Sequence, residues 1–391
     1  MPKRAHGEGT IRRRKDGRWE ARVPVGADPN TGKLRFKSFY GKTRTEALAK
    51  RDEFLTAVRT NTYVEPVKLK FGEWIRKWLE LFVRPKVRPS TFARYRNNVE
   101  THIVPGLGHI ELQKLSTEHI QAFYNKKAEE LSSSVVAAIH MLVNGALKQA
   151  VRQKLILHNP AEYTERPPVR YKEVRPLDTG EVQRLLEAAR DDRLYPAFLL
   201  LLTTGLRKGE LLALRWQDVD LKAGTLTVRR SLYRLRVAPG DTRLVFTEPK
   251  TEAAKRTVPL LPEMVKELKA HKTRQNEEKL ICGGAYEDNG LVFCTPTGTP
   301  LDPGNFLRKL KWLVKKAGLR EEIRVHTLRH TFGTVVAQSG ENPRNLQAVL
   351  GHADIRTTLQ TYCHTSLEDK RRAVEKVAFL LPRASERQKG Q

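Results

Sequence analysis

The sequence predicts a multidomain α+β protein, and three observations carry that expectation. At 391 residues the chain exceeds one ordinary domain. Its apolar pattern changes from two-residue alternation in the first sixty residues to a helical period after them. A proline-rich, charged segment at 161–176 then separates two helical stretches, because proline ends helices and stiffens connections. The chain is therefore expected to divide into residues 1–60, a linker at 61–68, a helical domain at 69–160, the linker at 161–176, and a last domain at 177–391.

The first unit is expected to be a small three-stranded sheet plus one helix. Ile11 to Arg14 is a short strand, and Lys15-Asp16-Gly17 a turn. Trp19, Ala21, Val23 and Val25 alternate along the second strand, and Leu34 to Phe39 makes the third. Thr43, with Glu46 three residues on, reads as a capping box that opens a helix to about Arg59. The polar sheet face should carry Arg12 or Arg13, Arg22, Arg35 and Lys37. This stretch has 16 Lys and Arg against 7 Asp and Glu, and such a ribbon suits a DNA groove.

Residues 69–160 carry four helical patterns. They start near Phe71, at Ser90, at Thr117 and at Ser132 to Ser134, the last with Ile139, Leu142, Val143, Leu147 and Val151 along one stripe. Their aromatics stand at helical spacing and read as core; Arg94 and Arg96 are candidate phosphate contacts. The last domain is expected to be mainly helical with a small antiparallel sheet. Asp178 caps its first helix, and Phe198 to Leu202 lies in its second. Thr225 to Arg230, Arg243 to Thr247 and Arg256 to Leu260 are strands, joined by a loop at Ser231 to Thr242 and a turn at Lys250-Thr251. Leu291 to Phe293 is a further short strand, and a helix should follow Tyr362.

Charge narrows the function. Lys and Arg number 72 against 44 Asp and Glu, a net +28. An excess of one sign this large favours a polyanion, since phosphate contacts release condensed counterions. Nucleic acid is the first expectation; no basic amphipathic helix supports a membrane surface. No stretch reads as a signal peptide or membrane span. Cys282, Cys294 and Cys363 show no CxxC pairing, which suits a reducing cytoplasm and argues against a disulfide framework or zinc ribbon.

The chemistry concentrates near the end. On a helix starting near His326, the residues His326, Arg329, His330 and Gly333 share one face, and Leu328, Phe332, Val335 and Val336 the other. Leu350-Gly351-His352 and Thr361-Tyr362 follow. Two histidines four apart could suggest zinc, but Thr327 stands where the metalloprotease pattern needs Glu, and no carboxylate or Cys completes a ligand set. No metal or cofactor is expected. His330 reads as an ordinary core histidine.

These motifs resemble the signature boxes of the tyrosine recombinases, the phage integrase family. His326-Thr327-Leu328-Arg329-His330, Leu350-Gly351-His352 and Thr361-Tyr362 are similar to the second box, with 23 residues from Arg329 to His352 and ten more to Tyr362. Thr204-Gly205-Leu206-Arg207-Lys208-Gly209-Glu210 resembles the first. Glu248-Pro249-Lys250-Thr251, leading to Arg256 through Leu260, resembles the hairpin that holds the family's lysine. Residues 69–160 are similar to the SAM-like core-binding domain, and residues 1–60 to an AP2-like arm-binding domain.

Diester cleavage needs a nucleophile, charge stabilisation at phosphorus and a proton for the leaving oxygen. Tyr362 is the expected nucleophile; a free tyrosine titrates near pH 10 and needs activation. Arg207 and Arg329 are expected to flank the phosphate, as bidentate forks suit its geometry. His326 is the expected general base, or the group that orients Tyr362; His352 donates to a non-bridging oxygen; Lys250 is the general acid. Glu210 positions the cluster. The resemblance implies a 3′-phosphotyrosine intermediate, four protomers acting on a Holliday junction, and double-stranded DNA with core-type and arm-type sites. It makes a DNA-bending host factor and an excisionase candidate partners, with the protein cytoplasmic and nucleoid-associated. Two alternatives stand beside integration or excision of a mobile element: a non-cutting DNA-binding regulator, and a type IB topoisomerase-like relaxing enzyme.

Overall fold

The computed structural model describes residues 10–27, 31–60, 62–166, 168, 174–238, 241–248, 255–362 and 371. The chain forms two compact units, residues 1–171 and 172–391.

The first unit opens with an antiparallel sheet in sequence order, β1 (Thr10–Arg13), β2 (Trp19–Ala27) and β3 (Leu34–Gly41). α1 (Arg44–Arg59) packs on one face, burying Ala21, Val23, Ala47 and Phe54. Thr43 caps α1 by accepting the Glu46 N–H at 3.2 Å, worth about 1 kcal/mol. Glu46 reaches back to the Lys42 N–H at 2.8 Å rather than to that of Thr43, so the reciprocal half of the expected box is displaced by one residue. Val25 is 45% exposed, because the β2–β3 ribbon slips register beyond Pro24 and outruns the helix.

The expected basic face is divided between two sides of the sheet. Register pairs Arg22 with Thr10 and Arg12 with Glu20, which places both arginines on the side away from α1. Register also pairs Lys37 with Val23 and Phe39 with Ala21, so Lys37 lies on the helix side. Its Nζ stands 4.9 Å over the Phe54 ring and 4.4 Å over that of Tyr63, and it donates to the Tyr63 hydroxyl. Arg35 shares the parity of Lys37. Successive strand residues point to opposite faces, so even and odd positions cannot share one.

Four helical stretches follow, as expected. α2 (Phe71–Trp78) continues into a π turn at Leu79–Val83. α3 (Pro89–Asn98) runs through a second π turn into α4 (Val104–Leu107). α5 (Thr117–Glu130) and α6 (Ser133–Arg152) complete the bundle. Although α6 is long and apolar enough to cross a membrane, its Ile139, Leu142, Val143 and Leu147 are fully buried in the bundle core. The Trp74 indole N–H donates to the Ala146 carbonyl at 2.8 Å, satisfying a buried donor that would otherwise cost stability.

The second unit contains α7 (Thr179–Ala189), α8 (Tyr195–Thr204) and α9 (Lys208–Leu212). A three-stranded antiparallel sheet follows, ordered β4 (Val219–Asp220), β5 (Thr225–Val228) and β8 (Arg256–Pro259). Between β5 and β8, β6 (Ser231–Ala238) pairs with β7 (Asp241–Thr247) as a separate ribbon. The expected loop at 231–242 is thus mostly strand. Leu232, opposite Phe246 in the register, is buried and anchors the ribbon. Leu291 to Phe293 is no strand: Leu291 makes one bridge to Arg215, and Val292 and Phe293 are simply buried. α10 (Pro262–Cys282), α11 (Pro303–Lys316), α12 (Val325–Gln338), α13 (Pro343–Leu350) and α14 (Ile355–Tyr362) complete the unit. Lys250 and Cys363 lie outside the described residues, as does the expected helix after Tyr362 apart from Arg371.

Candidate active site

The site begins where α8 ends. Gly205 closes that helix at φ +63°, and a Cβ there would stand 2.5 Å from the Phe332 ring. Only glycine allows so tight a turn against α12. The turn delivers Arg207 to the N-cap of α9, in extended backbone. Arg207 donates from its backbone N–H to Glu210 Oε2 at 2.9 Å and from Nη1 to Oε1 at 2.7 Å.

Glu210 is buried and serves two guanidiniums. Arg256, the first residue of β8, donates Nη2 to Oε2 at 2.9 Å and Nη1 to Oε1 at 3.2 Å. Burial raises the Glu210 pKa, but hydrogen bonds and charge from Arg256, with the charge of Arg207, outweigh it and hold the carboxyl below its ordinary value.

Arg329, on α12, is 1% exposed. It donates Nη1 to the Gly205 carbonyl at 2.6 Å and Nη2 to the Leu350 carbonyl at 2.7 Å. Burial, then the nearby Arg207, pushes its pKa down to about 10, so it stays charged at neutral pH. Three arginines thereby hold three consecutive carbonyls at the end of α13. Arg256 Nε takes Val349, Arg329 takes Leu350, and Arg207 Nη2 takes Gly351 at 3.0 Å. A helix C-terminus leaves these carbonyls unpaired and carries partial negative charge, so guanidiniums fit there twice over.

His352 follows directly. Its Nδ1 pairs with the buried Thr358 hydroxyl at 2.9 Å. Its ring lies almost parallel to that of Tyr362, 5° apart with centroids at 6.3 Å. Tyr362, the last residue of α14, is 6% exposed. It also packs on His330 at 5.6 Å. A Cβ on Gly333 would sit 2.5 Å from the Tyr362 ring, so that glycine makes the tyrosine's seat. Burial raises the Tyr362 pKa, while the charges of Arg329 and Arg207 and a hydrogen bond from Arg329 oppose the rise.

His326 meets His330 edge-on at 4.6 Å. Desolvation, followed by the charges of His330, Arg329 and Arg207, pushes its pKa down to about 4. Desolvation and Arg329 do the same to His352, also to about 4. Both imidazoles are therefore neutral at pH 7, each with one ring nitrogen that donates a hydrogen bond and one that accepts. Between pH 6.5 and 4 the unfolded chain protonates the half-buried His352 and the folded chain does not, so stability falls as pH falls through that window. The melting temperature should decline accordingly. His352→Asn should make the slope shallower, and an unchanged slope would count against the neutral imidazole.

The unit thus brings together Arg207, Glu210, His326, Arg329, His352 and Tyr362, all expected from sequence. His330, expected in the core, is half-buried between His326 and Tyr362 instead. Sequence reasoning missed Arg256 and Thr358. Arg256 stood in view as a neighbour of Lys250, yet nothing local marks its partners, which lie 46 and 93 residues away. The candidate DNA contacts Arg12, Arg22, Arg35, Lys37, Arg94 and Arg96 belong to the first unit. Arg94 is exposed, with its guanidinium 5.5 Å from the Tyr95 ring.

Residues 175–368 match the phage integrase family, and residues 70–128 match the phage integrase N-terminal SAM-like domain. A tyrosine recombinase XerC-like protein of Caldanaerobacter subterraneus subsp. tengcongensis is 32% identical over 368 residues, covering 90% of this chain and 94% of its own. An integrase of Streptomyces ambofaciens is 29% identical, covering 92% and 93%. Among solved structures, the Tn1549 transposon integrase in complex with transposon right end DNA superposes with a TM-score of 0.67 at 22% identity, covering 79% of this chain and all of that one. A lambda integrase dimer bound to a core site gives 0.55 at 18%, covering 92% and 96%. The chain belongs to the phage integrase family. It is a site-specific DNA recombinase.

Proposed function

We propose that this chain cuts and rejoins double-stranded DNA through Tyr362 to integrate and excise a mobile element. The observation that carries this reading is the seat of Tyr362 within its own chain, beside Arg329 and His352 and against Gly333. In cleavage the Tyr362 oxygen attacks phosphorus, a phosphotyrosyl bond forms at the 3′ side, and the 5′ oxygen leaves. His326 takes or directs the phenol proton, Arg207 and Arg329 stabilise charge on the non-bridging oxygens, and His352 donates to one of them. Lys250 protonates the departing oxygen, and Glu210 holds Arg207 in place. The covalent bond conserves the energy of the diester, so rejoining runs the same steps backwards.

Residues 1–60 serve as the arm-type DNA-binding domain, 69–160 as the core-binding domain and 177–391 as the catalytic domain. The protein acts in the cytoplasm at the nucleoid as a tetramer, a reading supported by the fold it shares with a lambda integrase tetramer bound to a Holliday junction. A DNA-bending host factor and an excisionase complete the set of partners.

The test begins by sequencing junctions in a cell that carries the protein and its element, which defines the target site. A nicked oligonucleotide of that site should then trap a covalent adduct, and peptide mapping should place it on Tyr362. A supercoiled plasmid lacking the site should stay supercoiled. An adduct elsewhere, or none, would overturn the reading, and relaxation of the plasmid would favour a topoisomerase.

A further inference from the structure

We infer that Arg256 is a positioning residue for strand cleavage, the strut that sets Arg207 and His352 relative to each other. The inference rests on the function proposed above. Arg256 starts β8, and its side chain is 6% exposed. Its fork binds both oxygens of Glu210, the carboxylate that also holds Arg207. Its Nε donates to the Val349 carbonyl, three residues before His352. Its guanidinium underlies Gly351, where a Cβ would come within 2.9 Å of Nη1. One side chain thus joins the sheet, the α9 N-cap and the α13 C-terminus.

Arg256 differs from the other two arginines of the α13 turn. Arg329 sets its charge beside Tyr362, and Arg207 keeps a side chain 39% exposed that can face a phosphate. Arg256 is sealed beneath Gly351 and acts through Glu210 and a carbonyl. Guanidinium geometry is required: a lysine ammonium cannot span both Glu210 oxygens and still reach Val349. Without Arg256 the buried Glu210 keeps only Arg207 among these partners, and Arg207 is drawn toward the carboxylate and away from phosphate. A displacement of about 1 Å at a reacting centre costs on the order of 100-fold in rate.

The experiment uses the full-length chain and the nicked target-site oligonucleotide. DNA binding is read by gel shift, single-turnover adduct formation by denaturing gel, and folding by melting temperature. Arg256→Lys and Arg256→Ala should each slow adduct formation about 100-fold while binding DNA within a few-fold of wild type. Ethylguanidinium should restore part of the rate to Arg256→Ala and none to Arg256→Lys, whose side chain fills the site. Arg256→Gln combined with Glu210→Gln should slow cleavage far less than the product of the two single effects, because both act through one contact. Wild-type rates in Arg256→Lys, or multiplicative effects in the double variant, would overturn the inference. If Arg256→Ala fails to fold, Arg256→Lys and the double variant still decide. Failure of the functional reading looks different: the wild-type chain itself would give no adduct on Tyr362.

Discussion

Replacing Tyr362 by phenylalanine is expected to abolish covalent capture of DNA while leaving binding intact. The phenylalanine ring keeps the contacts with His330 and His352 and still fits the space left by Gly333. What disappears is the oxygen proposed above to attack phosphorus. Losing a nucleophile outright costs on the order of 10⁴-fold or more, since the surrounding donors have no bond to promote. Folding should change by no more than about 1 kcal/mol, the worth of one hydrogen bond. Arg329 retains its two carbonyl acceptors, Gly205 and Leu350. Gel shift and denaturing electrophoresis on the same nicked substrate separate binding from capture. Adducts at wild-type yield would remove Tyr362 from the mechanism.

Arg329→Lys should be nearly as damaging to cleavage, although it preserves the charge. Arg329 is wholly buried and satisfies carbonyls on two different segments. Lysine offers a point charge on a flexible stem and cannot hold both carbonyls in one plane while facing Tyr362. Losing one preorganised donor to a developing oxyanion lowers the rate by about 10²–10³. An unsatisfied buried carbonyl adds a stability loss of about 1–3 kcal/mol. Single-turnover cleavage and a denaturant melt on one preparation measure both. A lysine variant that cleaves at half the wild-type rate would show that charge alone suffices at this position.

Local patterns carried much of this in the sequence. The helix pattern of α12 already placed His326, Arg329 and Gly333 on one face, and Gly333 does make room for Tyr362. The alternation of β2 and the cap at Thr43 set the first sheet and its helix. The same alternation was misapplied to Lys37, because parity across a hairpin depends on register, and register is set by pairing rather than by one strand alone. β7 read as a strand, but β6 read as a loop because its arginines and tyrosine obscure the apolar alternation that Leu232 and Phe246 complete only when paired.

The sequence by itself determined which groups are available, a phenol, guanidiniums and imidazoles, and that they lie on helices able to present them. Short-range periodicity and residue type suffice for that. Only the tertiary structure decided how the groups are held. Arg256 reaches Glu210 and Val349 across 46 and 93 residues, and Arg329 reaches Gly205 across 124. Contacts of that separation leave no local trace, because an arginine that will cap a distant carbonyl looks the same along the chain as one that will face water.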